Sequence, residues 1–155
     1  MRILITILSL CLFTACGVKK EEKNTQILVE NHSVDTFSKY LSIKDALVAS
    51  DRFEASSSAN EMLKTDQPDE IKAPLIAISN SSTIEEQRVA FEKLSIEFYN
   101  LVKAGDSEQD VIYKQYCPMA FGNKGAFWLS TEKEIMNPYF GDAMLRCGRI
   151  EEILD

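Results

Sequence analysis

Apolar residues recur every three or four positions from about residue 35 to residue 104, a spacing that predicts amphipathic helices. The first helix is predicted to begin at Ser33 or Asp35 and to run to about Lys64, where Thr65-Asp66-Gln67-Pro68 ends it. Its apolar stripe contains Phe37, Leu41, Val48, Ala55, Ala59 and Met62. A shorter helix is predicted from Asp69 to Ile78.

The next helix has the clearest boundaries in the chain. Thr83 is a predicted N-cap and Glu86, three residues later, completes a capping box. Gly105 is predicted to end the helix in the C′ position. One face of this helix carries Ile84, Phe91, Leu94, Phe98, Leu101 and Val102.

The pattern changes after residue 106, where aromatic residues become frequent. Half of the chain's fourteen aromatic residues lie between Tyr113 and Phe140. Residues 111–116 fit either a helix or a short extended run, and a turn of helix is predicted after Ser130. A short helix is predicted from Tyr139 to Leu145. The last segment, from Arg149 to Leu154, fits a short strand. The predicted fold is therefore mostly α: an antiparallel helical bundle with a cysteine- and aromatic-rich C-terminal segment packed across it.

The N-terminus resembles a bacterial lipoprotein leader. A short positive start, an apolar stretch from Ile3 to Phe13 and small residues before Cys16 occur in the expected order. This predicts a signal peptide at 1–15, lipidation at Cys16, a polar tether at 16–32 and one helical domain at 33–155. The chain would then be an outer-membrane lipoprotein of the cell envelope, held to the membrane through Cys16. The alternative is an ordinary signal peptide with an incidental cysteine.

Charge and composition exclude several functions. The formal net charge is −7 and there is no basic patch, so a nucleic-acid partner is not expected. The only histidine, His32, lies at the edge of the tether, so no Cys-His or Ser-His pair is evident. No nucleophile elbow, phosphate-binding loop or metalloprotease helix is present in the sequence. An enzyme is not predicted.

Four sulfur-containing residues remain as candidate chemistry: Cys117, Met119, Met144 and Cys147. Thiolate and thioether are soft ligands that select Cu(I) or Ag(I), whereas thioether is a poor ligand for zinc. The same two cysteines can instead form a disulfide that closes a loop of about thirty residues and stabilises the fold by roughly 3–4 kcal/mol. A third possibility is two free buried thiols. The sequence leaves all three open.

Two longer motifs carry a family resemblance. Tyr116-Cys117-Pro118-Met119-Ala120 and Asn137-Pro138-Tyr139-Phe140-Gly141, with Met144 and Cys147-Gly148 following, resemble an uncharacterised bacterial envelope domain of unknown function. That domain occurs in small lipoproteins and fused to periplasmic adaptor subunits of heavy-metal efflux systems. The resemblance extends over roughly Asp35 to Ile153 and implies metal handling, with copper as the expected metal.

Two functions are therefore expected. The first is a lipid-anchored envelope protein that binds Cu(I) or Ag(I) through these four residues and buffers the ion or delivers it to efflux components. The alternative is a protein-interaction module stabilised by a Cys117–Cys147 disulfide.

Overall fold

The computed structural model describes residues 36–105 and 111–154, and most of this part of the chain is helical. The four long helices are α1 (36–48), α2 (Arg52–Leu63), α3 (Asp69–Asn80) and α4 (Ile84–Ala104). The C-terminal part contains β1 (Ile112–Cys117), the short turn α5 (Ala120–Asn123), β2 (Ala126–Ser130), a 3₁₀ turn (Gly141–Ala143) and β3 (Arg149–Leu154). The predicted signal peptide, the Cys16 lipidation site, the tether and His32 lie outside the described residues.

The single long helix predicted up to Lys64 is wrong, because the chain breaks between α1 and α2. Ser50 adopts φ 55°, which lies in the left-handed region and cannot continue the helix. Asp51 then caps α2 by accepting a hydrogen bond from the backbone N–H of Glu54 at 2.9 Å. The apolar spacing continues across the break, so periodicity alone concealed it.

The capping box of α4 is confirmed. Thr83 accepts from the N–H of Glu86, and the Glu86 carboxylate accepts from the N–H of Thr83 in return. Hydrogen bonds from the backbone N–H of Ser82, and then from that of Thr83, hold the pKa of the Glu86 carboxyl below its ordinary value. The predicted C′ role of Gly105 is wrong, because that position needs a left-handed backbone and Gly105 is extended (φ −92°, ψ 140°). Its N–H donates a hydrogen bond to Leu101 O of the helix.

The C-terminal part is an antiparallel sheet with strand order β2-β1-β3. The strand predicted at 149–154 is present, and the ambiguous run before Cys117 is extended. The helix predicted at 139–145 is wrong beyond the 3₁₀ turn. The helical turn predicted after Ser130 is also wrong: Ser130 Oγ accepts from Glu132 N–H in an isolated turn.

One core joins the helices to the sheet. α3 packs between α2 and α4, and β2 packs on α4. Aromatic rings from α1 and α4 stack in this core, and Tyr139 from the C-terminal segment lies against Phe91. These shared core contacts fix the sheet against the helices. Among the described residues, no helix is long and apolar enough to cross a membrane.

Candidate dithiol site

Cys117 is the last residue of β1 and is fully buried. β1 is the central strand, so its backbone is held on both sides. On one side Cys117 pairs with Ala126 of β2, and on the other Tyr116 pairs with Arg149 at the start of β3. The antiparallel register with β3 places the residues just before Arg149 beside the end of β1. That register is what brings Cys147 towards Cys117.

The chain leaves Cys117 through a tight left-handed turn. Phe121, Gly122 and Asn123 all have positive φ, at 51°, 69° and 68°. Gly125 follows with φ 79°, and a Cβ there would collide with the Tyr116 ring. The turn therefore requires glycine where β2 begins, and it leaves Met119 at a surface position with 46% of its area exposed.

The second cysteine is carried by a loop that closes on Asn137, which is fully buried. Asn137 Nδ2 donates to Cys147 O at 2.8 Å, and its backbone N–H donates to Leu145 O at 2.9 Å. Asn137 Oδ1 accepts from Tyr139 N–H at 2.8 Å. The side chain and the backbone N–H of Asn137 thus join the start of the loop to its end at Leu145 and Cys147.

Arg88 of α4 fixes the same loop to the helices. Its Nε donates to Pro138 O at 2.9 Å and its Nη2 donates to Ser50 Oγ at 3.0 Å. A Cβ at Gly141 would lie 3.0 Å from Arg88 Nη2 and closer still to Ser50 Oγ, so the loop packs tightly here.

The sulfur atoms of Cys117 and Cys147 lie 3.1 Å apart, and both cysteines are free thiols. Cys147 is only partly buried. The hydrogen bond with Cys117 raises the pKa of the Cys147 thiol, and desolvation acts in the same direction. The backbone N–H of Met119 acts in the opposite direction and lowers the pKa of the Cys147 thiol.

The two methionines lie in the turns that carry the cysteines. Met119 is two residues after Cys117, and Met144 O accepts from Cys147 N–H at 3.0 Å. The structure thus brings the two cysteines into contact and puts one methionine beside each of them along the chain. In the part of the chain that the structure describes, no group of three or more His, Cys, Asp or Glu side chains could hold a metal ion.

Trp128 of β2 is fully buried beside the residue that follows Cys147. A Cβ at Gly148 would lie 3.1 Å from the Trp128 ring and 3.1 Å from Tyr116 O, so a side chain there would be crowded, and the φ of 153° would strain it as well. Trp128 Nε1 has no hydrogen-bond partner among the described residues. Sequence reasoning missed the roles of Asn137, Gly148 and the Met119 N–H.

Residues 36–110 match the profile of a family described as a protein of unknown function (DUF3347). The match covers the four long helices, just under half of the 155-residue chain, and ends before β1. Both cysteines of the dithiol site lie outside it. No match to the chain was found among curated proteins or among solved structures.

Proposed function

We propose that the chain binds one soft monovalent ion, Cu(I) or Ag(I), through the thiolates of Cys117 and Cys147, with Met119 and Met144 supplying thioether sulfur. The observation that carries the proposal is the 3.1 Å separation of the two Sγ atoms. Two soft donors held together in a partly desolvated site favour a soft ion over a hard one.

The separation needs little adjustment for an ion. Two thiolates about 2.3 Å from a tetrahedral ion lie about 3.8 Å apart, so the sulfur atoms would open by less than about 1 Å. Cys147, which is partly exposed, offers the route by which an ion enters. Cys117, which is buried at the end of the central strand, supplies a donor that water cannot reach.

The proposal extends to the cellular setting. We infer that the chain is anchored in the outer membrane through lipid at Cys16 and that it buffers the ion or passes it to heavy-metal efflux components. The order of features in the leader and the resemblance of the two C-terminal motifs support this part. We also infer that α1 to α4 form an antiparallel bundle, because only short turns connect them.

A second function rests on the same distance. A disulfide has an S–S bond of about 2.05 Å, so closing by about 1 Å would join Cys117 to Cys147. In that case the pair stabilises a protein-interaction module and binds no ion. The two functions differ in the redox state of the pair in the native envelope.

The test is a Cu(I) competition titration of the reduced full chain against a chromophoric chelator. Cys11 and Cys16 are replaced by serine so that only the two site thiols remain. We expect one ion per chain, loss of at least about 100-fold in affinity for Cys117→Ser or Cys147→Ser, and about tenfold for Met119→Leu or Met144→Leu.

The matched control is Met62→Leu, which changes a methionine buried in α2 and should leave the affinity unchanged. A Cys117–Cys147 disulfide in chain isolated from the envelope, together with no Cu(I) binding after reduction, would replace the metal proposal by the second function.

A further inference from the structure

We infer that Asn137 is the positioning residue of the dithiol site: its side-chain amide holds Cys147 at contact distance from Cys117. This inference rests on the proposed function only for its biological purpose. The geometry that supports it is independent of any ion.

The two cysteines are held in different ways. Cys117 ends the central strand: it pairs with Ala126 of β2, and the residue before it, Tyr116, pairs with Arg149 of β3. Cys147 precedes β3, in a stretch with no ladder partner. Its carbonyl is fixed by Asn137 Nδ2 at 2.8 Å, and its N–H by Met144 O at 3.0 Å.

Asn137 itself is held rigidly. It is fully buried, and its backbone and side-chain polar groups all have partners: Leu145 O, Gly141 N–H, Tyr139 N–H and Cys147 O. A side chain fixed on every side transmits its position to the atom that it bonds. Removing the Nδ2 donor therefore frees the Cys147 carbonyl, so that only the bond from its N–H to Met144 O remains, and leaves Cys117 where it is.

Two substitutions remove that donor and keep the turn. Asn137→Asp and Asn137→Ser each retain an oxygen that can accept from Tyr139 N–H, but neither can donate to Cys147 O at the original distance. Gln87→Glu is the matched control. Gln87 is a fully buried amide whose Nε2 holds Arg52 O and Ile78 O in the helical part, away from the cysteines.

The measurement is the equilibrium of the full chain with reduced and oxidised glutathione. Cys117 and Cys147 together lose two electrons and two protons to glutathione disulfide, which becomes two glutathione thiols as the protein S–S bond forms. Alkylation followed by peptide mass spectrometry quantifies Cys117 and Cys147 separately from Cys11 and Cys16. The equilibrium constant reports the effective concentration of one thiol at the other.

We expect both Asn137 variants to lower this constant at least tenfold, which corresponds to about 30 mV for a two-electron couple. Gln87→Glu should leave the constant within twofold of the parent value even where it lowers the unfolding midpoint. An unchanged constant in a folded Asn137 variant would overturn the inference, as would an equal shift in Gln87→Glu. Asn137→Ser, which buries no charge, provides the test if Asn137→Asp does not fold.

A chain that binds no Cu(I) yet shows the shift would refute the proposed function and keep the role of Asn137. A chain that binds Cu(I), but whose Asn137 variants keep the parent equilibrium constant with glutathione, would support the proposed function and refute the role of Asn137.

Discussion

The hydroxyl of Tyr40 in α1 accepts a hydrogen bond from the backbone N–H of Leu129 in β2 at 3.0 Å and shares a second bond with Ser95 Oγ of α4 at 2.8 Å. All three residues are buried. Burial raises the pKa of Tyr40 well above its ordinary value, so the hydroxyl remains protonated at any physiological pH. A single phenol thus ties the first helix to the sheet that carries Cys117.

We expect Tyr40→Phe to lower the free energy of unfolding by about 1–3 kcal/mol, because it leaves Ser95 Oγ and Leu129 N–H without this partner in the core. Urea denaturation measures the change. Tyr113→Phe is the control, since Tyr113 is also buried but its hydroxyl has no hydrogen bond among the described residues, and it should cost less than about 0.5 kcal/mol. Equal effects of the two substitutions would refute the proposed role of the hydroxyl.

Gly125 should tolerate substitution poorly. Its positive φ strains any other residue, and an added Cβ would collide with the Tyr116 ring, so we expect Gly125→Ala to lower the free energy of unfolding by about 2–4 kcal/mol. Thermal unfolding of Gly125→Ala, Gly122→Ala and Gly105→Ala separates the cost of the positive φ from the cost of the collision. Gly122→Ala has the strained φ but open space and should cost about 1 kcal/mol. Gly105→Ala has neither problem and should be close to neutral.

The raised pKa of the Cys147 thiol has a consequence for stability. A pKa that is higher in the folded than in the unfolded chain contributes stability below the unfolded value, about 8.5, and that contribution is lost as pH rises through the folded value. Between about pH 8.5 and 10, before ordinary tyrosines titrate, the free energy of unfolding of the reduced chain should therefore fall.

Cys117→Ala removes the largest cause of the raised pKa of the Cys147 thiol, so the free energy of unfolding should fall less as the pH rises. The Cys147 thiol should also react faster with iodoacetamide at pH 8, because more of it is then thiolate. Denaturation at a series of pH values and site-resolved alkylation rates check the two effects. A Cys147 rate that is unchanged in Cys117→Ala would contradict the coupling between the two thiols.

Trp128 is the only tryptophan in the chain and packs against the residue that follows Cys147. We expect Ag(I) to quench its fluorescence, with an end point at one ion per chain, because a heavy ion at the cysteine pair lies close to the indole. The emission of Cys147→Ser should not respond over the same range. Quenching of equal size in that variant would place the ion elsewhere.

The sequence predicted those elements that depend on local chemistry. Thr83 and Glu86 specify a helix start through their own side chains, and the structure contains it. The break at Ser50 could not be predicted, since a left-handed residue there is selected by the packing of Arg88 and Gly141 against the turn, which are distant in sequence. Likewise, β1 is extended because two partner strands pair with it, a tertiary effect that propensity does not capture.

The candidate site was predictable in its residues but not in its geometry. Soft-ligand chemistry selected Cys117 and Cys147 without information on their distance. The 3.1 Å contact follows from the β1–β3 register and from the Asn137 side chain, and neither is visible in a pattern of residue types. That the cysteines and the methionines bind an ion remains a prediction.

X-ray absorption at the copper edge of the Cu(I)-loaded chain, with Cys11 and Cys16 replaced by serine, tests the central claim most directly, because it reports the atoms bound to the ion. The account predicts an all-sulfur shell at one ion per chain, with the loading abolished by Cys117→Ser or Cys147→Ser. A shell of nitrogen and oxygen, or loading that survives both substitutions, would contradict it.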